Sequence, residues 1–115
     1  MLPADHRLTH RKDFGKVMQK GKYATDRVLT VKIVNNNLQK SRFGFIISTK
    51  VSKRAVVRNR IRRRLREIVR LHRAAILGGY DVAIMASQAA IPKTYQELEQ
   101  SLASLMHRVG LLIRK

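Results

Sequence analysis

Between Lys50 and Arg73, a stretch of 24 residues, eleven side chains are basic and one, Glu67, is acidic. Every basic residue from Arg54 to Arg73 is arginine. The planar guanidinium can bond two phosphate oxygens at once and can stack on bases, which a lysine cannot match. That pattern points to phosphate binding, and other chemistries lack their residues. His6, His10, His72 and His107 form no H-E-x-x-H motif, since Arg7 follows His6, and no carboxylates cluster for two-metal work. The absence of cysteine excludes a thiol nucleophile, a thiolate zinc site and a disulfide framework. Asp13 suits a helix N-terminus, where the dipole favours a carboxylate, better than it suits a metal. Gly44 and Gly78-Gly79 are strand and turn features and make no phosphate loop. The residues read as a binder of polyanions, with no catalytic set and no metal site of their own.

The chain as a whole agrees. Its 115 residues carry 25 Lys plus Arg against 7 Asp plus Glu, a formal charge of +18. Such an excess repels itself in the compact state, and a bound polyanion relieves that cost. The length suits one domain, expected over residues 1–115 with flexible termini at 1–6 and 111–115. A hydrophobic content of 44% suffices for a core without disulfides. No apolar run approaches the roughly 20 residues of a membrane span, and Met1-Leu2 opens no signal-peptide pattern. The expectation is a cytoplasmic protein with no membrane partner.

The arginines need a scaffold, and the flanking sequence predicts one. A short helix runs from Arg11 to Lys20, with Thr9 as its cap, Phe14, Val17 and Met18 at helical spacing, and Gly21 as its stop. Arg27–Val34 alternates as a strand, with Leu29, Val31 and Ile33 on one face. Asn35–Asn37 is a turn. Arg42–Thr49 reads as a second or third strand. Gly78-Gly79 breaks the chain before a short apolar strand, Tyr80–Ala86. Thr94 and Glu97 form a capping box, opening a helix with Leu98, Leu102, Leu105 and Val109 on one side and Gly110 at its end. The order is α-β-β-β-α-β-α, an α/β (α+β) two-layer sandwich.

Within this frame Ala55–Leu77 is an amphipathic helix. Val57, Ile61, Leu65, Ile68, His72 and Ala75 form one stripe; Arg62, Arg63, Arg66, Arg70 and Arg73 lie opposite. Arg58, Arg60 and Arg64 flank the stripe and can face structural partners instead. An ordinary solvated face would carry acids four residues from its bases. Here Arg58, Arg62, Arg66 and Arg70 repel one another at that spacing, a cost that a polyanion removes. A membrane-surface helix would show Trp or Phe on its apolar face, and this one shows neither. A DNA-reading helix would vary its outward side chains with Asn, Gln and Ser, whereas a nearly all-Arg face suits phosphates and RNA shape.

GFIISTK at Gly44–Lys50, followed by AVVRNRIRRRLRE at Ala55–Glu67, resembles the signature of the bacterial ribonuclease P protein component. Arg7-Leu8-Thr9, Asp13-Phe14, Val17 and Gly21 fit the same family upstream. The Gly-Tyr-Asp-Val strand and the Leu-rich final helix fit downstream, so the resemblance spans about residues 7–110. Three features depart: Met18 where the family often has an aromatic residue, Lys32 where some relatives carry Tyr, and the loop Val51–Arg54, which lacks the Gly many members use.

The resemblance implies a fold like the second domain of ribosomal protein S5, with an unusual left-handed βαβ crossover. It implies a protein cofactor of a ribonucleoprotein endoribonuclease that removes the 5′ leader of precursor tRNA, with catalysis in the RNA subunit. The implied partners are the catalytic RNA and precursor tRNA, with no obligate protein partner evident, and Mg²⁺ is implied through the RNA. Lys50, Lys53, Arg54, Arg58, Asn59, Arg60, Arg62, Arg63, Arg64 and Arg66 are the expected contacts to the catalytic RNA. Phe14, Met18, Val31, Lys32, Phe43 and Phe45 are expected to line a leader-binding cleft between the first helix and the sheet. Phe43 and Phe45, which share a strand face, also suit the core. A ribosomal-type RNA-binding protein would share the charge, and only the block at residues 44–67 separates the two.

Overall fold

The alternation read in the second quarter of the chain forms the middle of a four-stranded sheet. A computed structural model describes residues 7, 8 and 11–112, and within its first helix the side chains of residues 15–19. The strands are β1 (Lys22–Thr25), β2 (Leu29–Asn35), β3 (Arg42–Ile46) and β4 (Tyr80–Ala86), and the helices α1 (Arg11–Lys20), α2 (Ala55–His72) and α3 (Tyr95–Arg108). The sheet order is β1-β2-β4-β3. β1 and β4 flank β2 antiparallel, while β3 and β4 run parallel, joined across α2. The mixed α+β class and the element order follow the expectation. Thr9, the expected cap of α1, lies outside the described residues.

One sheet face carries Leu29, Val31 and Ile33 from β2, Phe43 from β3, and Val82 and Ile84 from β4. They pack on Ile61, Leu65, Ile68 and Val69 of α2 and on Leu98, Leu102, Leu105 and Met106 of α3. The other face is covered too. Ala83, Val34 and Ile46 pack with Val17 of α1 and with Leu8. Asp81–Ile84 are all buried, and a strand buried on both sides demands cover on both sides. α1 therefore makes a third layer over part of the sheet, where two layers were expected.

α2 departs from its projected stripe at one end. It gives way to a 3₁₀ turn at Arg73–Ala75 instead of running to Leu77, so Ala75 is exposed. Val69 joins the buried side because α2 meets α3 as well as the sheet, which widens its buried arc. The capping box of α3 is present: Thr94 Oγ1 accepts from the Glu97 amide (3.2 Å) and Glu97 Oε1 from the Thr94 amide (3.0 Å). At the other end Gly110 takes φ +79°, and the Leu111 amide returns to the Met106 carbonyl at 2.9 Å. This left-handed cap folds Leu111 into the core. Leu112 bridges Ile76. The cap thus anchors Leu111, and the bridge to Ile76 holds Leu112, at the start of the stretch read from the sequence as the C-terminal tail.

Candidate nucleic-acid interface

Arg62, Arg63 and Arg66, with Asn59 and Val56, line an open depression of about 610 Å³ on the outer side of α2. Among the described residues no acidic side chain pairs with any of the three arginines. Asn59 Oδ1 accepts from Arg62 Nη1 at 2.7 Å and so orients that guanidinium. Arg70 is held apart, because Glu67 accepts from it at 2.6 and 3.1 Å. The hydrogen bond from Arg70 keeps the Glu67 carboxyl below its ordinary range. The first turn of α2 has neither an acidic residue nor a side-chain cap, so the positive end of its dipole adds to the exposed Lys50, Lys53 and Arg54.

The flanking arginines do different work. Arg58 donates to the Ser52 carbonyl (2.9 Å), fixing the loop that enters α2. Arg64 donates to the Lys93 carbonyl (3.0 Å), tying α2 to the start of α3. Arg60 buries its Nε without a partner. A guanidinium has five N–H groups, so each can still meet a phosphate, but none is wholly outward.

The acids explain why the cationic face stays open. Asp26 accepts from the amides of Val28 and Leu29 and from the Ser101 hydroxyl. Asp81, buried between strands, takes both arms of Arg42 (2.8 and 2.7 Å) and the Asn36 amide (2.9 Å). Glu97 caps α3, and Glu99 meets His72 at 3.2 Å across the α2–α3 seam. Every acidic side chain among the described residues is engaged within the fold, and the field of Arg62, Arg63 and Arg66 is left uncompensated.

A second surface lies on the sheet face that α1 half covers. Residues alternate across a strand, and Val34 packs towards α1, so Lys32 and Thr30 share that side. The ladder sets Lys32 between Tyr23 and Ala83, with Gly44 beyond, and sets Thr30 between Thr25 and Met85, with Ile46 beyond. Ala83 and Gly44 are small where α1 sits; Lys32, Thr30 and Met85 remain partly open. Met18 of α1 is 40% exposed.

Three expected cleft residues lie elsewhere. Val31 and Phe43 are buried on the opposite face against α2 and α3, and Phe45 packs on that same core. The reason is parity: Val31 and Lys32 are neighbours in sequence and must point to opposite faces. The Phe14 side chain lies outside the described residues. Sequence reasoning did not name Tyr23, Thr30 or Met85: Thr30 shares the face of Lys32 by alternation along β2, while register sets Tyr23 directly opposite Lys32 and Met85 opposite Thr30.

Across known proteins, the family model for ribonuclease P matches residues 2–110. The chain belongs to the ribonuclease P protein family. It is 34% identical over 111 residues to the ribonuclease P protein component of Alkaliphilus metalliredigens, covering 96% of this chain and 99% of that one. The counterpart from Pelotomaculum thermopropionicum is 39% identical over 104 residues, with 90% and 92% covered. Among solved structures, the Staphylococcus aureus RNase P protein superposes with a TM-score of 0.85 at 29% identity, covering 92% and 96% of the two chains. The Thermotoga maritima RNase P protein gives 0.81 at 25%, covering 89% and 96%. The family fixes the broad role: a protein component of an endoribonuclease that processes tRNA 5′ ends, partnered with the RNase P RNA. No helix among the described residues is long and apolar enough to cross a membrane.

Proposed function

We propose that this chain is the cofactor through which the catalytic RNA of ribonuclease P grips the 5′ leader of precursor tRNA. The observation that carries this reading is the unpaired arginine face of α2. Three outward guanidiniums without an acidic partner repel one another, and phosphates of a folded RNA are the ligands that relieve them. Lys50, Lys53 and Arg54 extend that face, Asn59 steers Arg62, Arg58 and Arg64 each fix one end of the helix with a single bond, and all three of Arg58, Arg60 and Arg64 offer their remaining donors.

The leader belongs on the other side, along the floor formed by Lys32, Thr30 and Met85 beside α1. An extended strand needs a shallow, partly apolar track with scattered cations, and this surface has that composition. Phe14 and Met18, on α1, are assigned to the same track. The two RNA sites thus lie on different elements, so one protein can hold catalyst and substrate together.

Bond breaking is assigned to the RNA. Among the described residues no three His, Cys, Asp or Glu side chains converge, and the carboxylates are engaged within the fold. Mg²⁺ would be held by RNA phosphates, where it would stabilise charge in phosphodiester hydrolysis. The chain's own work is to bind, neutralise and align.

A reconstitution tests the reading. The purified chain is mixed with a bacterial ribonuclease P RNA, and 5′ processing is followed at low Mg²⁺ with and without protein. The expected result is cleavage that needs the protein and is lost with Arg60→Ala/Arg62→Ala. Tight RNA binding with unchanged processing by a cognate RNA would make this a general RNA-binding domain.

A further inference from the structure

Tyr23 stands on β1, the edge strand of the sheet, with 63% of its surface exposed. Packing does not account for a ring left so open. The other described aromatic side chains are held by the core: Phe43 is buried in it, and Phe45, Tyr80 and Tyr95 pack against it. Ala24 points into that core, so Tyr23 points to the α1 side. Directly across the ladder is Lys32, whose Nζ lies 5.9 Å from the centre of the tyrosine ring. A cation over the ring at that range is attracted to its face, which holds the ammonium against the tyrosine. Continuing along the same row come Ala83 and Gly44, both buried, with Ala83 packed in the cluster that α1 closes. The aromatic–cation pair is the open end of a row whose far end is shut.

We propose that Tyr23 stacks on one nucleobase of the single-stranded leader while Lys32 holds an adjoining phosphate, a nucleotide clamp at the β1 edge. The proposal rests on the leader-binding reading above and extends it to a residue outside the expected cleft set. A phenol ring with an open face offers a platform that every base can use, so the clamp grips without reading sequence. Lys32 adds one phosphate contact. Reach is the consequence: a nucleotide must lie far enough along the leader to arrive at the sheet edge.

The test uses the holoenzyme reconstituted with its catalytic RNA. Three ligands are compared: precursor tRNA with a long leader, precursor with a single leader nucleotide, and mature tRNA. Tyr23→Ala is expected to weaken long-leader binding by about 5- to 150-fold, the range of one base–aromatic stack. It should leave the other two ligands unchanged, and Tyr23→Phe should retain wild-type affinity throughout. Lys32→Gln should reduce the salt slope for the long-leader precursor by about 1. Equal long-leader binding by Tyr23→Ala and wild type overturns the proposal. An equal loss on mature tRNA overturns it too, as does a Phe variant as weak as the Ala variant. If the wild-type holoenzyme binds the long leader no tighter than mature tRNA, the leader-binding reading falls and the clamp with it. A wild-type leader gain that ignores Tyr23→Ala removes the clamp alone.

Discussion

Replacing Arg62, Arg63 and Arg66 together by alanine probes the cationic face where its geometry is clearest. All three line one depression, none has an acidic partner, and the one internal bond lost is that from Arg62 to Asn59. Each phosphate contact contributes roughly 0.7 to 0.9 to the slope of log affinity against log salt, so the triple variant should be flatter by about 2 to 3. A protein making about six contacts loses roughly a thousandfold in affinity between about 50 and 200 mM salt; with three contacts gone the loss shrinks to roughly thirtyfold. The assay is fluorescence anisotropy of labelled catalytic RNA against protein across a salt series at constant Mg²⁺, with a thermal melt of each protein. The melt should hold, since exposed substitutions usually shift stability by no more than about 0.5 kcal/mol each and like-charge repulsion is relieved. A slope that stays at the wild-type value would refute the electrostatic account, even if affinity fell.

The flanking arginine Arg64 should behave in the opposite way. Arg64→Ala removes the bond to the Lys93 carbonyl, which costs about 1 kcal/mol and on the order of 4 °C in the melt; an unchanged melt would show that α2 and α3 do not need that tie. Arg42→Ala strands the buried Asp81 carboxylate and should cost roughly 3–5 kcal/mol in denaturant unfolding at neutral pH. A loss below about 1 kcal/mol would mean that Asn36 and solvent suffice for Asp81. Asp26 carries an acid-side prediction. Burial by itself would raise its pKa, but bonds from the Ser101 hydroxyl and the Leu29 and Val28 amides, with the Arg108 charge, outweigh burial and hold it below the ordinary value. The folded value being the lower one, its stabilisation is complete above the unfolded pKa and is lost as pH falls through the folded pKa. Melts of wild type and Asp26→Asn over that acid range should converge as pH drops, and parallel curves would count against the assignment.

Local signals were readable because local physics sets them. The capping box at Thr94 and Glu97, the stop at Gly21, and the periodicities of α1, α2 and β2 each depend on residues a few positions apart. The outward arginines of α2 were readable for the same reason: one helical period separates the charged and apolar sides. Val31 and Phe43 show where that reasoning stops. Alternation says that Val31 opposes Lys32, but it does not say which side α1 will cover.

Composition and spacing by themselves determined the order of elements, the strong positive charge and the arginine face, since each follows from the residues along the chain. Tertiary structure alone decided which arginines are spent on Ser52 and Lys93, that Glu99 meets His72, and that Tyr23 stands opposite Lys32. It also drew Leu111 into the core through the turn at Gly110. The physical reason is common to all of these. Strand register and helix docking are chosen by the burial of the whole core at once, and no short window of sequence contains that sum.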